Sequence, residues 1–345
     1  WSRYETNRLD SDRFCIMIGL GLNILYGLFW MVTFIAIVPT LIVLEQRYFS
    51  DRFHIPGQET NLIRFYRQFF TTSRSNLRGD RLSLPFSIQI FNLVETAFLL
   101  ALWLILPYQM QILDDFPVWL LLVIVAFSFN IINSISAAED LDTEIGTAGI
   151  LKNGISLLSS FIPVLITLLI VISSDRYENF ADLSLKQGGF WLGFIPRWNI
   201  FRSPFHFLTA INYIVNLVIL MRMNDKGFQP FEFQEPSEIY NGRHAKFGSF
   251  LQFNRTALLF TLSALMVFLF LGGWPQASDW EIRRLASLPG GVWFLCKSII
   301  VFGMCSIIKY RLPLLGVRQI LNFNLKIQVP VLILVWLGAL VVRWL

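Results

Sequence analysis

The stretch FNRTALLFTLSALMVFLFLG, residues 253–272, carries one charged side chain, Arg255, and is otherwise dominated by Leu, Phe, Ala and Val. About 17–25 apolar residues in a helix cross a hydrocarbon core of about 30 Å. A helix satisfies its own backbone hydrogen bonds, which a membrane demands. The stretch therefore predicts a transmembrane α-helix.

Seven further apolar runs flank this stretch, in a chain of 345 residues with 55% hydrophobic and 15% charged residues. A soluble domain carries about a quarter charged residues, and none of the runs alternates as barrel strands do. The sequence predicts an all-α membrane protein with one polytopic domain, 1–345, and eight transmembrane helices. The predicted helices span about 16–44, 85–106, 117–136, 149–173, 204–222, 253–272, 291–308 and 327–343.

The first long loop, 45–84, contains the amphipathic sequence NLIRFYRQFF at 61–70. Apolar residues, Phe65 and Phe69 among them, recur there at three- and four-residue spacing, with Arg64 and Arg67 between them. This pattern predicts a helix lying in the membrane interface. Two interpretations stay open: a surface anchor, or a lid over a chamber for a lipid-like substrate.

The net charge of +5 bears on topology more than on partners, and we expect no nucleic-acid partner. The loops 45–84, 223–250 and 309–326 hold about fifteen Lys and Arg, against about ten in the tails and the other long loops, so they are expected on the cytoplasmic or matrix side. The acidic loop 137–148 falls on that side and departs from the rule.

The three cysteines, Cys15, Cys296 and Cys305, occur singly, without CxxC or His-rich spacing. Neither a disulfide framework nor a zinc or iron–sulfur site is expected from them. We expect this chain to carry no catalytic residue, metal or flavin, so any redox cofactor belongs to a partner.

Four charged residues, Glu95, Lys152, Arg255 and Lys297, lie inside or at the edges of predicted helices. A charge there is costly unless it faces protein or water. Lys152 and Arg255 are close enough to helix ends to reach the headgroups. Glu95 and Lys297 are deeper, and the sequence leaves open whether each belongs to a structural pair or to a proton relay.

The segment RMNDKGFQPFEFQEPSEIYNG, 222–242, combines acids with aromatic residues directly after a predicted helix. A solvated acidic loop is one interpretation. The other is that the acids pack on protein, because the segment is too apolar to be freely solvated. The acids are Asp225, Glu232, Glu235 and Glu238, and the phenylalanines are Phe228, Phe231 and Phe233.

This segment resembles the loop after the fifth helix in the membrane subunit of respiratory complex I that forms the quinone chamber, NADH dehydrogenase subunit 1. That family has Ala-Glu-x-Asn-Arg-x-Pro-Phe-Asp there. SALMVFLFLGGW (263–274), GGVWFLCKSIIVF (290–302) and KYRLPLLGVRQILNFNLKIQVP (309–330) are similar to later segments of the family in the same order, and LIVLEQR (41–47) to its first-helix exit.

The resemblance implies a subunit that caps the quinone cavity, docks the hydrogenase-like soluble arm and other membrane subunits, and begins a chain of buried acids that couples quinone reduction to proton pumping. Quinone is then a substrate, and lipids surround the bundle. For such a subunit, the Phe-rich and Lys-poor sequence favours the mitochondrial inner membrane, with a bacterial plasma membrane as the alternative. The quinone-binding candidates are Glu45, Arg47, Phe65, Phe69, Phe228 and Phe231, and the proton-path candidates are Asp225, Glu232, Glu235, Glu238 and Glu95.

The chain departs from the family pattern at several charged positions. The family's Glu before Asn-Arg falls on Asp225 and its Arg on Phe228, while Phe161 and Gln252 stand where two membrane glutamates belong. Neither of these last two can carry a proton by ionising. An alternative is therefore a scaffold subunit that conducts no protons. A secondary transporter lacks support because no repeat is visible, and the related subunit of energy-converting hydrogenases matches LFLGGW less closely.

Overall fold

The computed structural model describes residues 28–45, 86–105, 124, 128, 144–175, 183, 186–187, 190–191, 195–223, 245–273, 290–312 and 316–344. Apolar runs form the long helices. The helices are α1 (Leu28–Glu45), α2 (Phe86–Ile105), α3 (Glu144–Asp175), α4 (Asn199–Arg202), α5 (Pro204–Met223), α6 (Ala245–Phe270), α7 (Gly290–Arg311), α8 (Val317–Phe323), a π-helical segment (Asn324–Gln328) and α9 (Val329–Trp344).

Six helices in the described part of the chain are long and apolar enough to cross a membrane, judged by length and composition. They match six of the eight predicted runs, and the multi-pass character is confirmed. The second run forms α2, whose apolar part is Leu93–Trp103. The third run, apart from residues 124 and 128, and the amphipathic segment 61–70 lie outside the described residues, so eight spans and an interfacial helix stay predictions.

A short antiparallel pair of strands, β1 (Phe190–Trp191) and β2 (Ile195–Pro196), interrupts the otherwise helical architecture. Phe190 is opposite Pro196 and Trp191 opposite Ile195. Aromatic and β-branched residues favour extended backbone, which explains a hairpin in the connection between α3 and α5. The all-α prediction did not include it.

The last helix begins at Val317, ten residues before the predicted start at 327. The Gly316 N–H donates to Gln319 Oε1 at 3.0 Å, and the Gln319 N–H donates to the Gly316 carbonyl at 2.9 Å. These bonds satisfy groups that a helix start leaves open. Lys326 lies inside the helix with its side chain exposed, so its charge does not end the helix, and the prediction of a loop up to 326 was wrong.

The centre of the bundle is α6, whose side chains from Thr256 to Phe270 are all buried. Phe34 of α1 stacks on Trp103 of α2 at 4.7 Å between ring centroids, and Trp103 stacks on Phe260 of α6 at 5.2 Å. The Trp103 indole N–H donates to Thr261 Oγ1 at 2.8 Å. Such stacks add to the free energy of burying their apolar area, and they fix the relative height of the three helices.

The contacts also give the direction of each helix. Thr96 bonds Asn254, and Trp103 bonds Thr261, so α2 and α6 run parallel. Lys297 bonds Leu271, and Phe302 packs on Phe260, so α7 runs antiparallel to α6. The end of α1, the start of α6 and the end of α7 therefore lie together. We call this the charged-loop end, after the Lys- and Arg-containing segments that follow α1, precede α6 and follow α7 in the sequence.

Candidate functional site

An ion pair joins α1 and α7 at the charged-loop end. Lys309 Nζ contacts Glu45 Oε1, with 4% of the lysine side chain and 17% of the glutamate side chain exposed. Lys309 Nζ also lies 4.9 Å from the centre of the Tyr310 ring. Lys309 occupies the last turn of its helix, where the helix dipole stabilises a positive charge. The pair thus places two opposite charges in a largely shielded position.

A fully buried carboxylate, Glu95 of α2, lies toward the same end. Asn254 Nδ2 of α6 donates to Glu95 Oε2 at 3.4 Å, and Thr96 Oγ1 donates to Asn254 Oδ1 at 2.8 Å. Asn254 is itself fully buried. Burial of a carboxylate is costly unless hydrogen bonds or charges compensate it. The hydrogen bond from Asn254 provides part of that compensation and makes Glu95 a candidate functional residue.

Glu95 and Lys297 do not form a pair with each other. Lys297 Nζ donates to the Leu271 carbonyl at 3.0 Å and lies 4.7 Å from the Trp198 ring centre. Asn254 and Leu271 are 17 residues apart along α6, which separates them by about 25 Å at 1.5 Å per residue. The two charges thus belong to opposite ends of the bundle.

The end of the bundle opposite the charged loops is closed by amide side chains. Gln187 Nε2 donates to the Phe268 carbonyl at 3.0 Å, and Gln187 Oε1 accepts from the Gly272 N–H at 2.8 Å. Asn199 Nδ2 donates to the Leu269 carbonyl at 2.9 Å. The last carbonyls of a helix have no partner within it, and these amides supply one. This end is built as a structural cap.

Uncharged polar side chains collect between α3, α5 and the α8–α9 helix. Asn324 Nδ2 donates to Ser160 Oγ at 2.8 Å, and Asn216 Nδ2 donates to the Ser160 carbonyl at 2.6 Å. Phe161, which follows Ser160 and is expected to replace a family glutamate, is 5% exposed and belongs to the apolar core. The region is therefore polar but has no acid at the expected position.

The sequence model of the family described as NADH dehydrogenase matches residues 83–340. The chain belongs to this family. The match covers about three quarters of the chain, including every described helix except α1 and the end of α9.

Curated relatives that are named as a subunit of NADH-quinone oxidoreductase are similar to this chain at low identity. The protein of Bacteroides fragilis is 23% identical over 255 residues, covering 71% of this chain and 68% of the relative. The protein of Polaromonas sp. is 26% identical over 249 residues, covering 69% and 66%, and that of Geobacillus thermodenitrificans is 25% identical over 221 residues, covering 63% and 60%. The matched parts thus span between 60% and 68% of these relatives.

A solved structure shares the fold. The structure of the membrane-bound sulfane sulfur reductase, an archaeal respiratory membrane complex, contains a chain that matches with a TM-score of 0.65 and 16% identity, over 92% of this chain and 99% of that chain. At that identity the match concerns the fold alone.

The structure places two of the site residues predicted for the family, Glu45 and Glu95. From the contact between Phe34 and Trp103, both lie further toward the charged-loop end, on neighbouring helices. The other predicted site residues lie outside the described residues, and their roles stay predictions: Arg47, Phe65, Phe69, Asp225, Phe228, Phe231, Glu232, Glu235 and Glu238.

Sequence reasoning missed four residues that organise the site: Lys309, Asn254, Asn216 and Asn324. Lys309 was assigned to a loop, although α7 continues to Arg311. The three asparagines stand within or beside apolar runs. An amide there needs a partner inside the protein, and that signal was available in the sequence. Among the described residues, no group of three His, Cys, Asp or Glu is arranged to hold a metal ion.

Proposed function

We propose that this chain is the subunit of a respiratory NADH:quinone oxidoreductase that forms part of the quinone-binding chamber and passes protons from it into the membrane arm. The observation that carries the proposal is Glu95, a fully buried carboxylate at the charged-loop end of a chain of the NADH dehydrogenase family. The relatives are named as a subunit of NADH-quinone oxidoreductase, which supports quinone as the substrate.

The chamber lies, in this proposal, at the charged-loop end. Glu45 and Lys309 would form one wall, joined by Arg47, Phe65, Phe69, Phe228 and Phe231 from the flanking loops. A quinone has an apolar ring and two carbonyl oxygens, so aromatic walls with a few polar groups suit it. The electrons come from a redox centre in a partner, because the chemistry belongs to the cofactor while the protein supplies binding and electrostatics.

Protons would move through acids rather than through the quinone wall itself. Asp225, Glu232, Glu235 and Glu238 lie before α6 in the sequence, and Glu95 is hydrogen-bonded to Asn254 on α6. Buried acids within membrane proteins are candidates for proton relays. The proposed partners are a hydrogenase-like soluble arm at the charged-loop end, neighbouring membrane subunits and lipids.

A bacterial plasma membrane is the favoured location. The relatives named above are bacterial, and the matching structure is from an archaeal complex. Nothing in these relatives supports the mitochondrial inner membrane.

The test is purification of the native assembly through a tag on this chain, followed by crosslinking with a photoreactive quinone. We expect hydrogenase-like subunits in the assembly, and quinone crosslinks in this chain that an excess of unmodified quinone suppresses. An assembly without hydrogenase-like subunits, or crosslinks that excess quinone leaves unchanged, would contradict the proposal.

A second candidate function is a scaffold that keeps the fold and the docking surface but conducts no protons. Phe161 favours it, because its buried apolar ring stands where the family places an acid. Reconstitution in sealed vesicles separates the two candidates. Quinone reduction that acidifies the far side of the membrane supports the coupling subunit, whereas reduction without proton movement supports the scaffold.

A further inference from the structure

A line of buried polar side chains follows the interface of α3, α5 and the last helix. All of its members are uncharged, and each is at most 3% exposed. We call this line the neutral seam. It consists of Ser156, Ser159, Ser160, Thr167, Asn216, Asn324 and Gln328.

Short hydrogen bonds hold one end of the neutral seam together. Asn324 Nδ2 donates to Ser160 Oγ at 2.8 Å and lies 3.2 Å from Ser159 Oγ. Asn216 Nδ2 donates to the Ser160 carbonyl at 2.6 Å. Three helices therefore present amide and hydroxyl groups to one another around Ser160.

The neutral seam continues along α3 beyond Ser160. Asn324 contacts Ser160, and Trp336 Nε1 donates to Ser173 Oγ at 2.9 Å, so the last helix and α3 run parallel. Leu332 packs in one cluster with Ile170. Gln328 lies between these contacts, one turn after Asn324 on the last helix, and Thr167 follows Ser160 by seven residues, about two turns, on the same face of α3. The two side chains thus extend the seam away from the charged-loop end.

Several polar atoms of the neutral seam have no hydrogen-bond partner among the residues that the structure describes. They are Asn216 Oδ1, Asn324 Oδ1, Thr167 Oγ1 and both side-chain polar atoms of Gln328. Buried polar groups are nearly always paired with protein or with ordered water. Five such atoms in one seam indicate that it binds a small polar ligand.

The backbone beside the neutral seam adds an acceptor. Pro163 lies inside α3 and has no N–H, so it cannot form the usual helical bond to the Ser159 carbonyl. On the facing helix, Asn324–Gln328 is π-helical, and π-helical turns within α-helices are frequent at functional sites. Next to the contact between Asn324 and Ser160, α3 therefore lacks one regular helical hydrogen bond, and the facing helix is π-helical.

We propose that the neutral seam binds a file of water molecules. Water fits the orphaned groups better than a cation does, because Gln328 Nε2 is an unpartnered donor that a cation cannot satisfy. A buried water makes about three hydrogen bonds, and the orphaned donors and acceptors supply such sets. The seam contains no ionisable group. Water there therefore bridges the polar side chains of the three helices by hydrogen bonds, and no carboxylate takes part.

The role of this water rests on the proposed function. Phe161 stands at the position on α3 where the family resemblance expects an acid. The file of water lies beside Phe161, on the polar side of the same helix. It would carry protons past Phe161 by exchange of hydrogen bonds. The binding of water and its role in coupling are tested separately.

The first experiment is brief X-ray radiolysis of the purified assembly in ¹⁸O-labelled water, with oxidation of methionines read by mass spectrometry. Met223 Sδ lies 3.7 Å from both Ser156 Oγ and Ser160 Oγ. Met266 is 1% exposed and packs in the apolar core. We expect several-fold more oxidation at Met223 than at Met266. Equal labelling of the two methionines would overturn the proposal.

Substitutions show whether the neutral seam supplies the water. Asn324→Leu and the milder Ser160→Ala should each lower Met223 oxidation toward the level of Met266. Ser263→Ala is the matched control, because Ser263 is equally buried and bonds only the carbonyl of Leu259 in its own helix. Oxidation of Met223 that persists in both seam variants would assign the water to the outer solvent and refute the seam.

The second experiment measures proton movement and quinone reduction by the same variants in sealed vesicles. A lower ratio of protons to electrons in Ser160→Ala and Thr167→Val, with the ratio of Ser263→Ala unchanged, supports the role in coupling. If Met223 is labelled in wild type but the ratio of protons to electrons is unchanged in Ser160→Ala and Thr167→Val, the role in coupling is rejected. The assignment of the water site is then retained. Absence of quinone reduction in wild type would instead reject the proposed function.

Discussion

Lys309 of α7 forms an ion pair with Glu45, the last residue of α1, and both side chains are largely shielded from solvent. Their partnership ties the first membrane helix to a helix more than 260 residues later in the chain. A shielded pair is costly to break on one side, because the remaining charge loses its compensation. The pair therefore holds the charged-loop end together, whatever binds there.

Lys309→Met tests this linkage. We expect a loss of about 3–5 kcal/mol in the free energy of unfolding, the usual cost of leaving a buried charge without its partner. The loss should be partly recovered in Lys309→Met combined with Glu45→Gln, because the second change removes the orphaned charge. The measurement is the thermal stability of the purified assembly.

Arg311→Met is the matched control for Lys309→Met. Arg311 lies two residues further along α7 with an exposed side chain, so its substitution should change stability by less than about 0.5 kcal/mol. Equal effects of Arg311→Met and Lys309→Met would show that the ion pair contributes nothing specific.

Glu95→Gln keeps the shape of the side chain and removes its ability to ionise. Asn254 Nδ2 can still donate to the amide oxygen, so we expect normal assembly and near-normal quinone reduction. Proton translocation should fall to the background of vesicles without substrate, because an amide does not ionise near neutral pH and so cannot relay a proton as a carboxyl group does. The measurement is the initial rate of pH change per electron transferred.

Thr96→Val is the control for Glu95→Gln. It removes the hydroxyl that donates to Asn254 Oδ1 at 2.8 Å, at a cost of about 0.5–1.5 kcal/mol in stability, and leaves the acid in place. Pumping should survive. If the assembly with Glu95→Gln translocates protons as well as the wild-type assembly does, Glu95 has only a structural role and is not part of the proton path.

The sequence predicted the helical class of this protein better than its site. Apolar runs such as 253–272 fix a helix by length alone, because the membrane accepts few alternatives. The start of the last helix was placed ten residues late, because Lys326 and Asn324 look like loop residues until a neighbouring helix partners them. The Asn324 amide is paired with α3, and a local pattern contains no information about that pairing.

Contacts between distant segments explain most of what the sequence could not show. Glu45 was predicted as a site residue, but Lys309 was not recognised as its partner. The sequence left open whether Glu95 and Lys297 each belong to a structural pair or to a proton relay, and in the structure they meet different ends of α6. Which residues meet depends on the direction and the relative height of the packed helices. A local sequence pattern contains neither of these.

Gln187→Met tests the cap at the opposite end of the bundle. The side chain of methionine fills a similar volume but makes none of the bonds to Phe268, Leu269 and Gly272. Orphaned buried backbone groups cost about 1–3 kcal/mol, so thermal stability should fall by this order. Quinone reduction at room temperature should be retained, because the cap is distant from the charged-loop end.

Arg197→Met serves as the comparison for Gln187→Met, since Arg197 lies in the same connection with an exposed side chain. Its stability should match wild type. A stable Gln187→Met protein would mean that water replaces the amide, and that the connection between α3 and α5 is held by other contacts.

Gly272 allows a final prediction, because it follows α6 with a φ of 81°. A Cβ at this position would lie 2.5 Å from Trp198 Nε1 and 2.6 Å from Trp198 Cδ1. The φ alone is strained for any residue with a side chain, at about 1–3 kcal/mol. Gly272→Ala would also displace Trp198 from Lys297, whose Nζ lies 4.7 Å from the ring. We expect a clear loss of thermal stability.

Gly303→Ala is the control for Gly272→Ala, because we expect it not to lower stability. Gly303 lies inside α7, and a Cβ there would meet no atom within 4 Å. Alanine in a helix interior is favoured over glycine by about 0.5–1 kcal/mol, so stability should rise or stay equal. The measurement is the thermal unfolding curve of each variant, compared with wild type in the same detergent. If Gly272→Ala were as stable as Gly303→Ala, the turn after α6 would not be held by Trp198, and the cap at this end would have to rest on Gln187 and Asn199 alone.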